Sequence, residues 1–330
     1  MKGAYGNPAA LWEQGYRFDS LGLNAVFVRS QSLSRDFLTR ARSEGVKVYM
    51  EFPTLNGKAW LKTHPEATPI TAGGVPAQAA DWFMGICPTD SAFRRHRKEE
   101  LAGLLDSLAV DGVFLDYFHW HAQFESEHPT LPETCFCDRC LHLFEGWSGQ
   151  ELNGENTAEK AAWILKNQDA AWRRWRANVL LDWAVDLRHQ VRRINPDLVV
   201  GVYHCGWFPA DHDSALYRIL GIDLPTLARE VDALSPMLFH QLKNRPTAWV
   251  GEYMNWLDQQ PWMKTDSASR IWPIVQAYNN PGIISAEEFA EVLKYGSGTP
   301  STGLMFFSAE AIATDSIKLN VLKEFYWKIR

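Results

Sequence analysis

The sequence predicts an α/β fold, a (β/α)8 TIM barrel formed by one domain over residues 1–330. Three observations predict it. Eight short runs rich in Val, Phe and Tyr each precede a helical pattern, and strands alternating with helices imply parallel pairing. Eight such units fit the 330 residues with no domain-sized linker. The G-x-G-x-x-G signature of an open doubly wound sheet is missing after the first strand.

The first strand spans 2–6, and a helix follows from about Pro8 with Leu11, Trp12 and Tyr16 at helical spacing. The second strand, 24–29, leads to a helix over 34–43 that Ser34 caps and Gly45 ends. The third strand, 46–52, is closed by Pro53. Residues 55–88 form a Gly/Pro-punctuated excursion, and so long a loop in a compact fold is usually functional. A charged helix over 89–108 precedes the fourth strand, 112–117. A second excursion, 118–167, carries three cysteines and ends at the longest helix, 168–194. Strands follow at 198–204, 232–240, 271–278 and 304–308, with helices at 224–230, 248–257, 285–294 and 315–327.

The chain is 46% hydrophobic and 22% charged, which excludes a disordered protein. No apolar run reaches the roughly 18 residues needed to cross a bilayer. A net charge of -6 argues against nucleic acid and anionic membrane as partners. The N-terminus has no apolar leader pattern, so a cytoplasmic location is expected. The 15 Trp are the unusual feature. Trp172, Trp175, Trp183 and Trp272 fall on regular elements and read as core.

Barrel enzymes place their chemistry at the C-terminal ends of the strands. There the sequence puts Asn7, Arg29, Glu51, Asp116, Tyr117, His119, Tyr203, His204, Phe239, His240, Gln276, Tyr278, Ser308 and Glu310, with His121 just beyond on the same loop as His119. Hydrogen-bonding groups among aromatic plates suit a sugar, and Trp60, Trp82, Trp120 and Trp207 in the adjoining loops are candidates for stacking on pyranose rings. Asp116 is the sharpest residue, because a carboxylate at the tip of the buried run Val-Phe-Leu costs stability unless it is paired or functional. Glycoside hydrolysis needs two carboxyls. Glu51 and Glu310 are the leading partners for Asp116, with Asp211 and Asp213 as further choices.

Cys135, Cys137 and Cys140 supply three soft ligands at short spacing, and a structural zinc takes four. Cys87 closes the first excursion and is the favoured fourth, ahead of Cys205. A closed four-thiolate site leaves no position for substrate, so its expected role is structural.

The order Cys87-Pro-Thr, a basic helix, a strand, then Cys135-x-Cys137-x-x-Cys140-x-x-x-Phe144 resembles the zinc-bearing region of family 42 β-galactosidases. The likeness covers Cys87 to Trp147. It implies that Cys87, Cys135, Cys137 and Cys140 are the zinc thiolates. It also implies a retaining glycosidase on a barrel, in a family whose members are often trimeric, so a homo-oligomer is compatible with it. The sequence departs from that family at the catalytic centre: Leu115-Asp-Tyr-Phe-His-Trp120 has no Glu, and neither has Val275-Gln-Ala-Tyr-Asn279. Asp111-Gly-Val-Phe-Leu-Asp116-Tyr-Phe-His-Trp is closer to the hypothetical glycosyl hydrolase families. It also resembles amylase-like and α-galactosidase-like barrels, whose fourth-strand Asp is the nucleophile, which implies that role for Asp116.

The leading expectation is therefore a glycoside hydrolase acting on an oligosaccharide or glycoside, with retention, in which Asp116 acts as nucleophile or else as acid/base with Glu51 or Glu310 opposite. Two alternatives stand beside it. One is a non-catalytic carbohydrate-binding barrel. The other is a metal-dependent hydrolase or deacetylase built on His119, His121, His204 and His240 with Asp116.

Overall fold

The computed structural model describes residues 1–80, 82–265 and 269–328. Its strands are β1 (Lys2–Gly6), β2 (Ala25–Arg29), β3 (Lys47–Pro53), β4 (Gly112–Asp116), β5 (Val199–Cys205), β6 (Ala233–Leu238), β7 (Arg270–Ile271 and Ile274–Gln276) and β8 (Leu304–Phe307). Each pairs parallel with the next, and β8 returns to β1 with Leu304 opposite Lys2, so eight staves close a barrel. β7 is split at Pro273, which has no N–H to give to the ladder, although its carbonyl still accepts from Met305 N at 2.9 Å.

The helices follow from local signals. Helix α1 (Ala9–Glu13) comes after β1, and α2 (Arg35–Ser43) starts where the Ser34 hydroxyl accepts from Phe37 N. Helix α3 (Ser91–Ser107) is capped by Asp90, whose carboxylate accepts from Phe93 N at 2.8 Å. The second excursion, for which the sequence suggests no regular element, contains α4 (Asp138–Ser148) and α5 (Thr157–Asn167). Helix α6 (Asp169–Ile194) follows, then α7 (Ala215–Arg218), α8 (Leu224–Glu230) and α9 (Ala248–Asp258). Helix α10 (Ala286–Gly296) opens with a capping box between Ser285 and Glu288, and α11 (Ala309–Ala313) and α12 (Ser316–Lys328) end the described chain.

Inward-facing positions alternate along each strand, and here they are aromatic. Tyr5 stacks on Tyr203 at 4.9 Å, Phe27 on Tyr49 at 4.8 Å, and Phe114 meets both Phe27 and Trp272. Large rings on some staves require small residues on others: a Cβ on Gly201 would lie 2.3 Å from the Phe114 ring. This interior plug absorbs part of the aromatic excess and leaves the C-terminal rim as its roof.

Both long excursions leave that rim and are tied together by backbone. Ala72 N donates to Glu133 O at 2.9 Å and Phe136 N to Ile70 O at 2.8 Å. No helix among the described residues is long and apolar enough to cross a membrane.

Candidate active site

The centre of the rim is a carboxyl pair. Register sets Glu51 of β3 beside Phe114 of β4, so Asp116 is the next residue of the same inward row. The two side chains are in hydrogen-bonding contact, and the Tyr5 hydroxyl also bonds Glu51. Burial and the neighbouring Glu51 charge push the Asp116 carboxyl well above the usual carboxylate range. Burial also raises Glu51, but Arg29, 3.7 Å away, opposes that rise. One proton on the pair therefore belongs to Asp116. Without it, Oε2 of Glu51 would be a buried acceptor with no donor.

Above this pair lies an open groove of about 220 Å3 lined by Tyr5, Arg29, Trp82, Tyr117, Glu125 and Tyr278 among others. A smaller chamber shares Trp82, Asp116, Tyr117 and Glu125 with it and is lined further by Phe83, His119, Phe124, Tyr203 and His204. Trp82 and Phe83 come from the first excursion, and residues 117–125 come from the second. Tyr117 turns the chain off β4 in a left-handed conformation, φ 49°, and stacks on Phe83 at 5.0 Å. Trp82 is 44% exposed on the groove rim, where an aromatic plate is available to a ligand.

Glu125 is the functional candidate that the sequence reading missed. It sits in a small hairpin closed by mutual Gln123–Thr130 backbone bonds of 2.9 and 2.8 Å. Burial, and Asp116 when it is ionised, raise its carboxyl to about 7, against the pull of Lys243 and Arg29. The available signal was its place nine residues beyond Asp116 in a loop of the C-terminal rim. In sequence, Glu-Ser-Glu-His-Pro reads as a solvated turn.

The structure places several expected ligand contacts away from the groove. Trp120 is fully buried, its indole N–H donates to Arg176 O, and it packs where only a glycine fits at 221: a Cβ there would lie 2.4 Å from the ring. Trp60 is stacked on His64 at 3.7 Å and His96 at 4.7 Å, so both its faces are used. Trp207 is buried against Phe124, with the Lys243 ammonium 5.2 Å from its ring. His121 spends both nitrogens on backbone, accepting from Gly85 N at 3.0 Å and donating to Gln78 O at 2.9 Å. Gln276 is wholly buried; it accepts from Gln241 N and Leu242 N and donates to Tyr278 O and Asn280 O. His240 is buried where Glu288 and Glu291 of α10 supply the nearby charge. Glu310 is exposed on α11 and accepts from Asn7 N at 2.9 Å, which occupies it at the end of β1. Asp211 accepts from Phe208 N and pairs with Arg245, and Asp213 is largely exposed. The residues that the fold does gather at the cleft are Arg29, Glu51, Trp82, Asp116, Tyr117, His119, His204 and Tyr278.

The cysteines form a second centre. Cys87, Cys135, Cys137 and Cys140 have their sulfurs within 4.8 Å of one another, and among the described residues this is the one group compact enough to hold a metal. The rim histidines with Asp116 make no such group. Sγ of Cys87 lies 3.7 Å from that of Cys137 and 3.4 Å from that of Cys140. A tetrahedral zinc with Zn–S near 2.3 Å has sulfurs about 3.8 Å apart, so the donor set fits a closed metal site. Ile70 N donates to Cys135 Sγ, and the Thr89 hydroxyl contacts Cys87 and Cys140, which orients three of the sulfurs. Cys205 lies elsewhere, buried at the end of β5.

No family model and no curated protein matches the chain. Solved structures do. The glycoside hydrolase domain of PgaB (BpsB) from Bordetella bronchiseptica aligns with a TM-score of 0.72 at 14% identity, over 98% of each chain. A catalytic mutant of the GH42 β-galactosidase Gan42B from G. stearothermophilus aligns with a TM-score of 0.67 at 15% identity, over 99% of this chain and 56% of that one. The endo-β-1,4-mannanase of Thermotoga petrophila gives 0.58 at 8%, over 99% of this chain and 75% of that one. The chain thus spans about half the length of the β-galactosidase. At these identities the likeness establishes a shared fold, the barrel that these glycoside hydrolases use.

Proposed function

We propose that the protein is a glycoside hydrolase and that Asp116 is its proton donor. The observation that carries this reading is the Glu51–Asp116 pair at the floor of an aromatic groove. Burial and a neighbouring carboxylate push the Asp116 carboxyl up, the direction that a proton donor for glycosidic cleavage needs. Asp116 gives its proton to the glycosidic oxygen as the C–O bond breaks. Glu51, steadied by Arg29 and Tyr5, stays ionised behind it and holds that proton in place until it is transferred. This replaces the nucleophile role that resemblance alone suggests for Asp116.

Glu125, on the facing hairpin, is the second carboxyl. Ionised, it attacks the anomeric carbon directly or takes a proton from the attacking water. Retention is the course expected from the resemblance, and proton NMR of the first-formed anomer decides it. Trp82, Tyr117 and Tyr278 supply ring faces for the sugar, and Arg29 supplies donors for its hydroxyls. A carbohydrate is the partner this groove suits.

Asp116→Asn tests the assignment. Hydrolysis across a panel of aryl glycosides and oligosaccharides should fall at least about a thousandfold. The fold should survive, since the amide can still donate to Glu51. Normal turnover in that variant would remove Asp116 from the chemistry. The four cysteines are proposed to hold a structural zinc that pins the two excursions forming the cleft walls.

A further inference from the structure

The chamber beside Asp116 is walled by two imidazole acceptors, and one of them, Nε2 of His204, has no partner among the described residues. The chamber's volume is about 20 Å3. A water-sized group needs roughly 10–15 Å3 on this measure, so there is room for a single such group and not for a ring.

Two imidazoles face it. Nδ1 of His119 lies 2.7 Å from the Trp120 carbonyl, and Nδ1 of His204 lies 2.9 Å from the Cys205 carbonyl. A carbonyl only accepts, so each Nδ1 carries the hydrogen and each Nε2 is a bare lone pair. Burial pushes both rings down to about 4, so they are neutral and stay acceptors at neutral pH. Nε2 of His204 is buried with no partner among the described residues, and so is the Tyr203 hydroxyl on the same wall. His121 has the opposite tautomer, because its Nδ1 accepts from Gly85 N. The acceptor polarity is thus particular to His119 and His204.

We propose that this chamber is a subsite for one hydroxyl or hydroxymethyl arm of the sugar, which donates its O–H to Nε2 of His204 or His119. The inference rests on the glycosidase reading and adds a substrate class to it: neutral sugars with a free hydroxyl at that arm. The Tyr203 hydroxyl can donate to the same oxygen. An acetamido group is too large and turns a carbonyl toward acceptors. A carboxylate finds no donor on either imidazole, only the Tyr203 hydroxyl, and adds a negative charge beside Asp116 and Glu125, so uronic acids are disfavoured.

Ring-15N-labelled histidine in the full chain is the test. The expected spectrum has Nδ1–H tautomers for His119 and His204 at neutral pH. A proton on either Nε2 overturns the proposal, whether or not the protein is an enzyme. Methyl glucoside, galactoside and mannoside are then titrated in. At least one should move the His204 Nε2 resonance, and the matching methyl uronide should not. Silence with all three hexosides, or an equal shift with the uronide, overturns the subsite. Among 4-nitrophenyl substrates, the hexoside should exceed the uronide about 10- to 100-fold in kcat/KM. His204→Gln brings an amide donor to the position of Nε2 and should shrink that ratio. Shifts without hydrolysis of any glycoside would remove the glycosidase reading and leave the subsite standing.

Discussion

Glu51 and Asp116 stand on adjacent strands, two residues out of register, with their carboxyls in hydrogen-bonding contact under the floor of the groove. The pair divides its labour by its surroundings. Arg29 faces Glu51, and among the described residues no cation is as close to Asp116. Glu51→Gln should therefore lower the Asp116 pKa, because the repelling charge is gone. The alkaline limb of the pH–rate profile should move to lower pH, with a smaller maximal rate. A limb that stays where it is would mean that another group sets it.

Glu125 carries a pH-dependent prediction of its own. Its folded pKa is raised from 4.5 to about 7, so the native state favours the protonated form. The stability this gives is fully present below the unfolded value and is lost as pH rises through about 7. Glu125→Gln removes the dependence. The melting temperature of the variant, relative to the parent, should rise between pH 4.5 and 7 and level off above. A constant difference across that range would contradict the raised value.

The cysteine centre predicts one zinc per chain by elemental analysis. Cys87→Ser should lose it and expose both excursions to limited proteolysis. The barrel strands should keep their far-ultraviolet circular dichroism, since their ladder does not involve the metal. An unaltered metal content in that variant would place the metal elsewhere.

Lys318 is a buried ammonium on α12 that donates to Ala277 O at 3.1 Å and Asn279 Oδ1 at 2.9 Å. It fixes the turn after β7 that brings Tyr278 and Asn280 to the groove. Lys318→Met should cost about 1–3 kcal/mol by leaving that carbonyl unpaired, measured by urea unfolding. KM should rise more than kcat falls, because the turn lines the groove and does not touch the reacting bond.

The His121 ties predict a positional effect. His121→Phe removes the acceptor for Gly85 N and the donor to Gln78 O. Hydrogen exchange should quicken in the segment carrying Trp82 and Phe83, with little change in β3 or β4.

Strand order and strand ends were legible in the sequence because they rest on local pattern. The run Gly112-Val-Phe-Leu-Asp116 reads as a buried strand with a carboxylate at its tip, and Ser34 announces its helix by capping. The four cysteines were legible because metal ligation demands particular atoms, which can be counted along the chain. Direction and partnership were not. His119 and His121 differ by two positions in one loop, yet one faces the chamber and the other faces backbone. Trp82 and Trp120 read alike, yet one is a rim plate and the other is core. Glu310 occupies a strand end by sequence and an exposed helix by structure, while Glu125, in an unremarkable turn, reaches the cleft. Such differences depend on which way a loop folds back over the barrel. That is set by contacts between segments far apart in sequence, such as Phe136 with Ile70, whose energy no local spacing records.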